Sequence, residues 1–233
     1  MANLEHVKLL EQGPEVFNRW RADHSEVALD LDRADLSGLD LQRARIRNAN
    51  LRGARLTDTK LGRASLAKAD LQGADLTRAD LGRATLISAN LAGANLTNVN
   101  LFWADLRGAN LQVATLHWSR AVRASFLNAD LTDADFSQTT MIEVDLRNAN
   151  LSRANFSAAN MNGADISRAL LEGANFTQAM IRDSMWIMTD MRNANFNKAS
   201  LHRSDLSMAK YDETTRFPRG FDPQNTGAKD VVD

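Results

Sequence analysis

The stretch Ala69-Asp70-Leu71-Gln72-Gly73-Ala74-Asp75-Leu76-Thr77-Arg78-Ala79-Asp80-Leu81 repeats one five-residue unit. Each unit holds a small residue, an acid or amide, a large apolar residue and two outer residues. Working outward from it, the large apolar residue falls on every fifth position from Leu31 to Tyr211 without a slip. Of these thirty-seven positions only Ala121 is small. Alanine usually stands two residues before the apolar one, as at Ala34, Ala44, Ala49 and Ala54.

Neither common secondary structure accounts for this period. Five residues overshoot a turn of α-helix by about 140°, which scatters the apolar side chains around the axis. In a flat strand five residues reverse the face, because the strand period is two. A chain that takes a two-residue strand step and then turns a corner keeps both the alanine and the large apolar residue inside. A second spacing, of twenty, groups Gly53, Gly73 and Gly93, then Thr57, Thr77 and Thr97, then Arg43, Arg63 and Arg83. Four units per coil would stack these as ladders about 4.8 Å apart, and about nine coils would make a rod about 40–45 Å long. Stacked coils also pair their backbone groups, as buried backbone requires.

Composition sets wider bounds. The 233 residues are 44% apolar and 24% charged, ordinary for a soluble domain. With no cysteine, disulfides, iron–sulfur clusters and thiolate zinc sites are excluded. The first twelve residues carry Glu5, Lys8 and Glu11 and do not read as a signal peptide. No stretch approaches the roughly 18 apolar residues of a membrane helix. The expectation is a cytoplasmic protein without a membrane. The net charge of −1 is uneven, with thirteen Lys/Arg against eight Asp/Glu over residues 31–120. That excess is far below that of a dedicated nucleic-acid binder, so direct nucleic-acid binding is not expected.

The units Ala69-Asp70-Leu71-Gln72-Gly73 and Ala94-Asn95-Leu96-Thr97-Asn98 resemble those of the pentapeptide-repeat family, in a register that covers about four-fifths of the chain. The resemblance implies an all-β solenoid, a right-handed quadrilateral parallel β-helix. The leader Leu9-Leu10-Glu11-Gln12-Gly13 with Phe17-Asn18-Arg19-Trp20-Arg21, and the ending Phe217-Pro218-Arg219-Gly220-Phe221-Asp222-Pro223, are similar to those of bacterial and notably cyanobacterial members.

Three segments are expected: a helical cap over 1–28, the β-helix over 29–211, and a C-terminal cap with a flexible tail over 212–233. Asn3 reads as an N-cap and Pro14 as a first-turn proline. Val16, Phe17 and Trp20 form an apolar stripe that would cover the first coil, since solenoid ends need caps. A partner-binding helix is the other use of that stripe. Phe217 and Phe221 would cover the last coil, and the chain after Asp222 reads as disordered.

No catalytic, metal or cofactor-binding residue emerges, and no cofactor is expected. His6, His24, His117 and His202 are scattered, the last two about four coils or 20 Å apart. No GxGxxG, phosphate loop or HExxH is present. The recurrent Asp and Asn residues read as turn formers that bond nearby backbone. Gly53, Gly73 and Gly93 read as isolated corner glycines with positive φ.

Two outer features are candidate binding surfaces. Arg43, Arg63, Arg83 and Arg123 share one ladder with Trp103, a candidate basic stripe. Phe102, Trp103, Val113, His117, Trp118, Val122, Leu127 and Ile142 crowd the middle of the rod, a candidate partner patch of the kind that marks interfaces. Around Ser119-Arg120-Ala121 the unit is weakest, and a bulge tucking Trp118 inward is the alternative to an interface. Met185 and Met188 read as gap-fillers beside a core Trp186. The expectation is a rigid, non-enzymatic scaffold for an unknown protein partner. The alternative that the family resemblance implies is a DNA mimic that binds a type II topoisomerase, modulating gyrase or protecting it from quinolones. Monomer and homodimer, end-to-end or side-by-side, both remain open.

Overall fold

The computed structural model describes residues 2–231. Helix α1 (Leu4–Glu11) starts at Asn3, whose side chain accepts the Glu5 N–H at 2.9 Å. Gly13, at φ 92, separates it from α2 (Pro14–Asp23), where Pro14 occupies the first turn. From Asp30 the chain enters the repeat.

Every unit makes the same turn. Except at Ala49 and Ser184, the N–H after the corner donates back to the carbonyl of the preceding large residue, as Ala34 does to Leu31 at 3.0 Å and Ala74 to Leu71 at 3.0 Å. The second outer residue has positive φ in all units from Arg33 to Met208, and twenty-nine of these residues are not glycine. Gly53, Gly73 and Gly93 have the expected positive φ, and they share it with the residues at all the other corners. Left-handed backbone costs an L-residue about 1–2 kcal/mol. Its N–H, however, is held by the next coil, as Arg43 donates to the Gly62 carbonyl at 2.9 Å. Stacking overrides local preference at Arg43, Trp103 and Trp118 alike.

From Asp30 to Asp190, parallel bridges join each residue before the large apolar one to its counterpart twenty residues on, in four separate columns; the last bridge, Asn195 to Arg216, spans twenty-one. One runs unbroken through Asp30, Asn50, Asp70, Asn90, Asn110, Asp130, Asn150, Leu170, Asp190 and Lys210. A coil is therefore twenty residues with four turns. We number the corners by their outer residues in the first coil: 32–33, 37–38, 42–43 and 47–48. The chain is a β-helix solenoid.

The core is built from the two inward positions. Leu31, Leu36, Leu41 and Ile46 are fully buried with Ala44, and the same holds up the coils. Polar residues replace some alanines, and their hydroxyls bond core carbonyls: Thr59 to Leu36 at 2.9 Å, Thr139 to Leu116 at 3.2 Å. Among the described residues, Ser119 Oγ is the one buried side-chain oxygen or nitrogen without a partner. Phe136, Phe156, Phe176 and Phe196 stack at 5.0 Å spacings. Trp186 packs edge-on between Phe176 and Phe196 at 5.3 and 5.5 Å.

Both ends of the stack are closed. Leu10 and Phe17 are buried against the first coil, whereas Val16 points away and is 38% exposed. The helices also fill the open hydrogen-bonding edge: Asn3 N–H donates to the Asp30 carbonyl at 3.0 Å, and Asp30 N–H donates to His6 Nδ1 at 3.2 Å. At the far end Phe217 continues the ring column on Phe196 at 5.8 Å, and Phe221 stacks on Phe217 at 5.4 Å. Where the sequence reads as a disordered tail after Asp222, the stretch 223–231 carries regular structure. It forms a 3₁₀ turn (Pro223–Thr226) and a strand β2 (Lys229–Asp230) parallel to β1 (Lys210–Tyr211). The physical reason is the last coil's unpaired edge, which Lys229 N–H and Val231 N–H complete by donating to Ala209 and Tyr211 carbonyls.

Candidate functional site

The Asp and Asn residues before the large apolar position act on the turns. Asp75 Oδ1 accepts the Thr77 N–H at 3.0 Å and Asn95 Oδ1 the Thr97 N–H at 3.1 Å. They also form ladders, as Asn90 Nδ2 donates to Asp70 Oδ1 at 3.0 Å and Asn110 Nδ2 to Asn90 Oδ1 at 3.2 Å. No group of three or more His, Asp or Glu gathers as metal ligands would among the described residues. His117 lies at corner 2, its Nδ1 on Ser137, with its ring 3.9 Å from that of Trp118. His202 is on corner 3, a different column.

The ladders sort the expected partner patch into four columns. Phe102, Val122 and Ile142 stack on corner 3 with Trp103 beside them. Val113 belongs to corner 1, His117 and Trp118 to corner 2, and Leu127 to corner 4. Phe102, Val122 and Ile142 are half-buried and Trp103 is 48% exposed. Phe102 meets the Trp103 ring edge-on at 6.4 Å. Two arginines flank the pair, Arg120 5.4 Å over the Phe102 ring and Arg123 5.4 Å over Trp103. Cation–π contacts of this kind hold a ring in place while one face stays open.

Trp118 is 55% exposed, with its Nε1 donating to Gln138 Oε1 at 2.8 Å. The bulge expected as the alternative is absent. Arg120 bridges both Asn100 and Thr140, and Ala121 N–H donates to the Thr140 carbonyl at 2.8 Å. The coil backbone sets the register there, so a small Ala121 does not pull the outer Trp118 inward.

The expected basic stripe divides. Arg123 pairs with Glu143 one coil on, and this raises the Arg123 pKa and lowers that of Glu143. Arg43, Arg63 and Arg83 have no such acid above or below them, because the next outer residue in that column is the other arginine or Trp103. Elsewhere corner arginines grip a carboxylate one coil away: Arg78 holds Asp58 through Nε and a terminal nitrogen at 2.7 and 2.6 Å, and Arg153 holds Asp133 likewise. Hydrogen bonds from these arginines hold both aspartates below the usual carboxylate range.

Exposed methionines stand around several faces of the last coils. Met180, Met185, Met188 and Met208 are each 43–44% exposed, so Met185 and Met188 are not gap-fillers around Trp186. Met180 and Met185 stand in the acid-or-amide position, before Ile181 and Trp186, and Met188 and Met208 in outer positions, all of which the five-residue register already specified as facing outward. Trp186 is accommodated instead by Ser184, which stands in the alanine position and accepts its Nε1–H at 2.7 Å.

A comparison with family profiles matches the pentapeptide repeats (8 copies) to residues 30–66, 64–101, 100–138, 109–148, 141–178 and 181–210. Among solved structures, the chain is similar to HetL, a pentapeptide repeat protein involved in heterocyst differentiation regulation from the cyanobacterium Nostoc sp. strain PCC 7120. That match has 28% identity and a TM-score of 0.45, covering 87% of this chain and 97% of HetL. Rfr23 from the cyanobacterium Cyanothece 51142 is 29% identical with a TM-score of 0.34, over 48% of this chain and 63% of its own. QnrB1, a plasmid-mediated fluoroquinolone resistance protein, is 17% identical with a TM-score of 0.40, over 88% of this chain and 90% of its own. A search of curated protein sequences returns no match. No helix among the described residues is long and apolar enough to cross a membrane.

Proposed function

This chain belongs to the pentapeptide-repeat family, and from that premise we propose that it is a non-enzymatic, rigid scaffold that docks a protein partner on corner 3. The solenoid we propose is right-handed and square in section, with about nine coils between its two caps. The observation that carries the docking proposal is the column Phe102, Val122 and Ile142 with Trp103 beside it. Large apolar side chains in outer positions of consecutive coils do nothing for the core, which is complete without them. Aromatic anchors with an arginine against each ring are the composition of interface hot spots. The backbone beneath is paired coil to coil, so the column is presented without ordering cost on binding.

Amide exchange on the complex tests this. Slowed exchange should map to residues 100–104 and 120–124, and slowing confined to other corners would refute it.

The carboxylates Glu143, Asp145, Asp165, Asp183 and Asp205, which follow one another up the stretch between corners 3 and 4, favour a second reading as a DNA mimic for a type II topoisomerase. Arginines occupy the same stretch in the first three coils, where a mimic needs acids. Absence of any effect on gyrase supercoiling, with and without a quinolone, would remove that reading.

A further inference from the structure

We propose that the stretch between corners 3 and 4, over its first three coils, is a docking surface for a short acidic protein segment. In the first coil Arg43, Arg45 and Arg47 alternate outward while Ala44 and Ile46 are fully buried. The next coil presents Arg63, Ser65 and Ala67 with Lys68 at the corner, and the third presents Arg83, Thr85 and Ile87. No acid stands among these positions.

The cations are idle within the fold. The side chains of Arg43, Arg45, Arg47, Arg63, Lys68 and Arg83 take part in no hydrogen bond or ion pair among the described residues. Farther up the same corner, Arg123 and Arg203 are each paired, with Glu143 and Asp183. Like charges one coil apart, about 4.8 Å, repel one another and contribute nothing to stability. A corner arginine in this backbone conformation grips a carboxylate one coil away, as Arg78 does with Asp58. Arg63 and Arg83 hold the same turn position with that carboxylate missing. An external carboxylate at the coil spacing completes the arrangement.

Extent and surroundings select the partner. The surface spans three coils, about 10 Å, by five residues, about 16 Å, which suits a few residues of extended chain. Its outward residues include no aromatic ring on which a base could stack, the usual platform for single-stranded nucleic acid. A polyanion lying along the rod would also meet Asp145, Asp165 and Asp205 on the same stretch. The surface lies on earlier coils than Trp103 and does not depend on docking there.

The test is fluorescence anisotropy of the full chain at low salt with a labelled oligoglutamate peptide. A labelled oligodeoxynucleotide of equal charge serves as the competing arm. The proposal predicts saturable peptide binding that weakens about tenfold in Arg43→Gln/Arg63→Gln/Arg83→Gln and in Arg45→Gln/Arg47→Gln. Arg78→Gln should bind as the wild type does, and melting curves should show every variant folded. Absence of peptide binding, affinity unchanged from the wild type in both multiple variants, or tighter binding of the oligodeoxynucleotide would each overturn it.

Discussion

Trp186 Nε1 donates to Ser184 Oγ at 2.7 Å inside the core, and Ser184 passes the contact on to the Ile181 carbonyl at 2.8 Å. Ser119 holds the same place in its own unit, yet its hydroxyl is buried without a partner. One residue type at one repeat position should therefore respond to Ser→Ala with opposite signs. Ser184→Ala strands the indole N–H and should lower stability by about 1–3 kcal/mol, whereas Ser119→Ala should be neutral or stabilising by up to about 1 kcal/mol. Urea unfolding midpoints of the two variants check this, and equal shifts would contradict it.

The first coil borrows a side chain to finish its edge. Asn18 Nδ2 donates to the Arg43 carbonyl at 2.9 Å, and Asn18 Oδ1 accepts the Arg45 N–H at 2.8 Å. Asn18→Ala removes both bonds where water can partly replace them, so the expected loss is about 1–2 kcal/mol. Exchange of the Arg45 amide should accelerate more than that of amides in the middle coils.

Acid should loosen the C-terminal end first. Burial of Asp212 works against its charge, but hydrogen bonds from the Thr214 hydroxyl, the Asn193 N–H and Thr215 outweigh it and hold the pKa at about 2, against 3.8 when unfolded. The folded state then binds fewer protons than the unfolded one between these values. Its stabilisation is complete above about pH 4 and is lost as pH falls through about 2. Amide protection at Asn193 and Thr214 should drop over that window in the wild type. In Asp212→Asn it should be low and independent of pH there.

The fold was legible because a solenoid selects residues by inward volume at a fixed period. Leu31 to Tyr211 kept that period, and the ladders of Gly, Thr and Arg gave the coil length. The turn conformation was not legible. Positive φ at Arg43 or Trp103 is imposed by hydrogen bonds from a coil twenty residues away, not by local preference. The candidate site was half legible. Trp103 and Trp118 are fifteen residues apart, which is not a whole coil, so they stand on different corners. Phe102, Val122 and Ile142 are whole coils apart and do stack. The tail pairs Lys229 with Lys210, nineteen residues back and past the last five-residue unit, and no pattern announced it.

Docking on corner 3 is tested most directly by affinity capture from the source organism. Tagged wild type is compared with Phe102→Ala/Trp103→Ala and with Trp118→Ala. Trp103 is nearly half exposed and Phe102 lies outside the core, so the double variant should keep its melting temperature within a few degrees. The account predicts a discrete partner retained by the wild type and by Trp118→Ala and lost from the double variant. A partner captured equally by all three would contradict it.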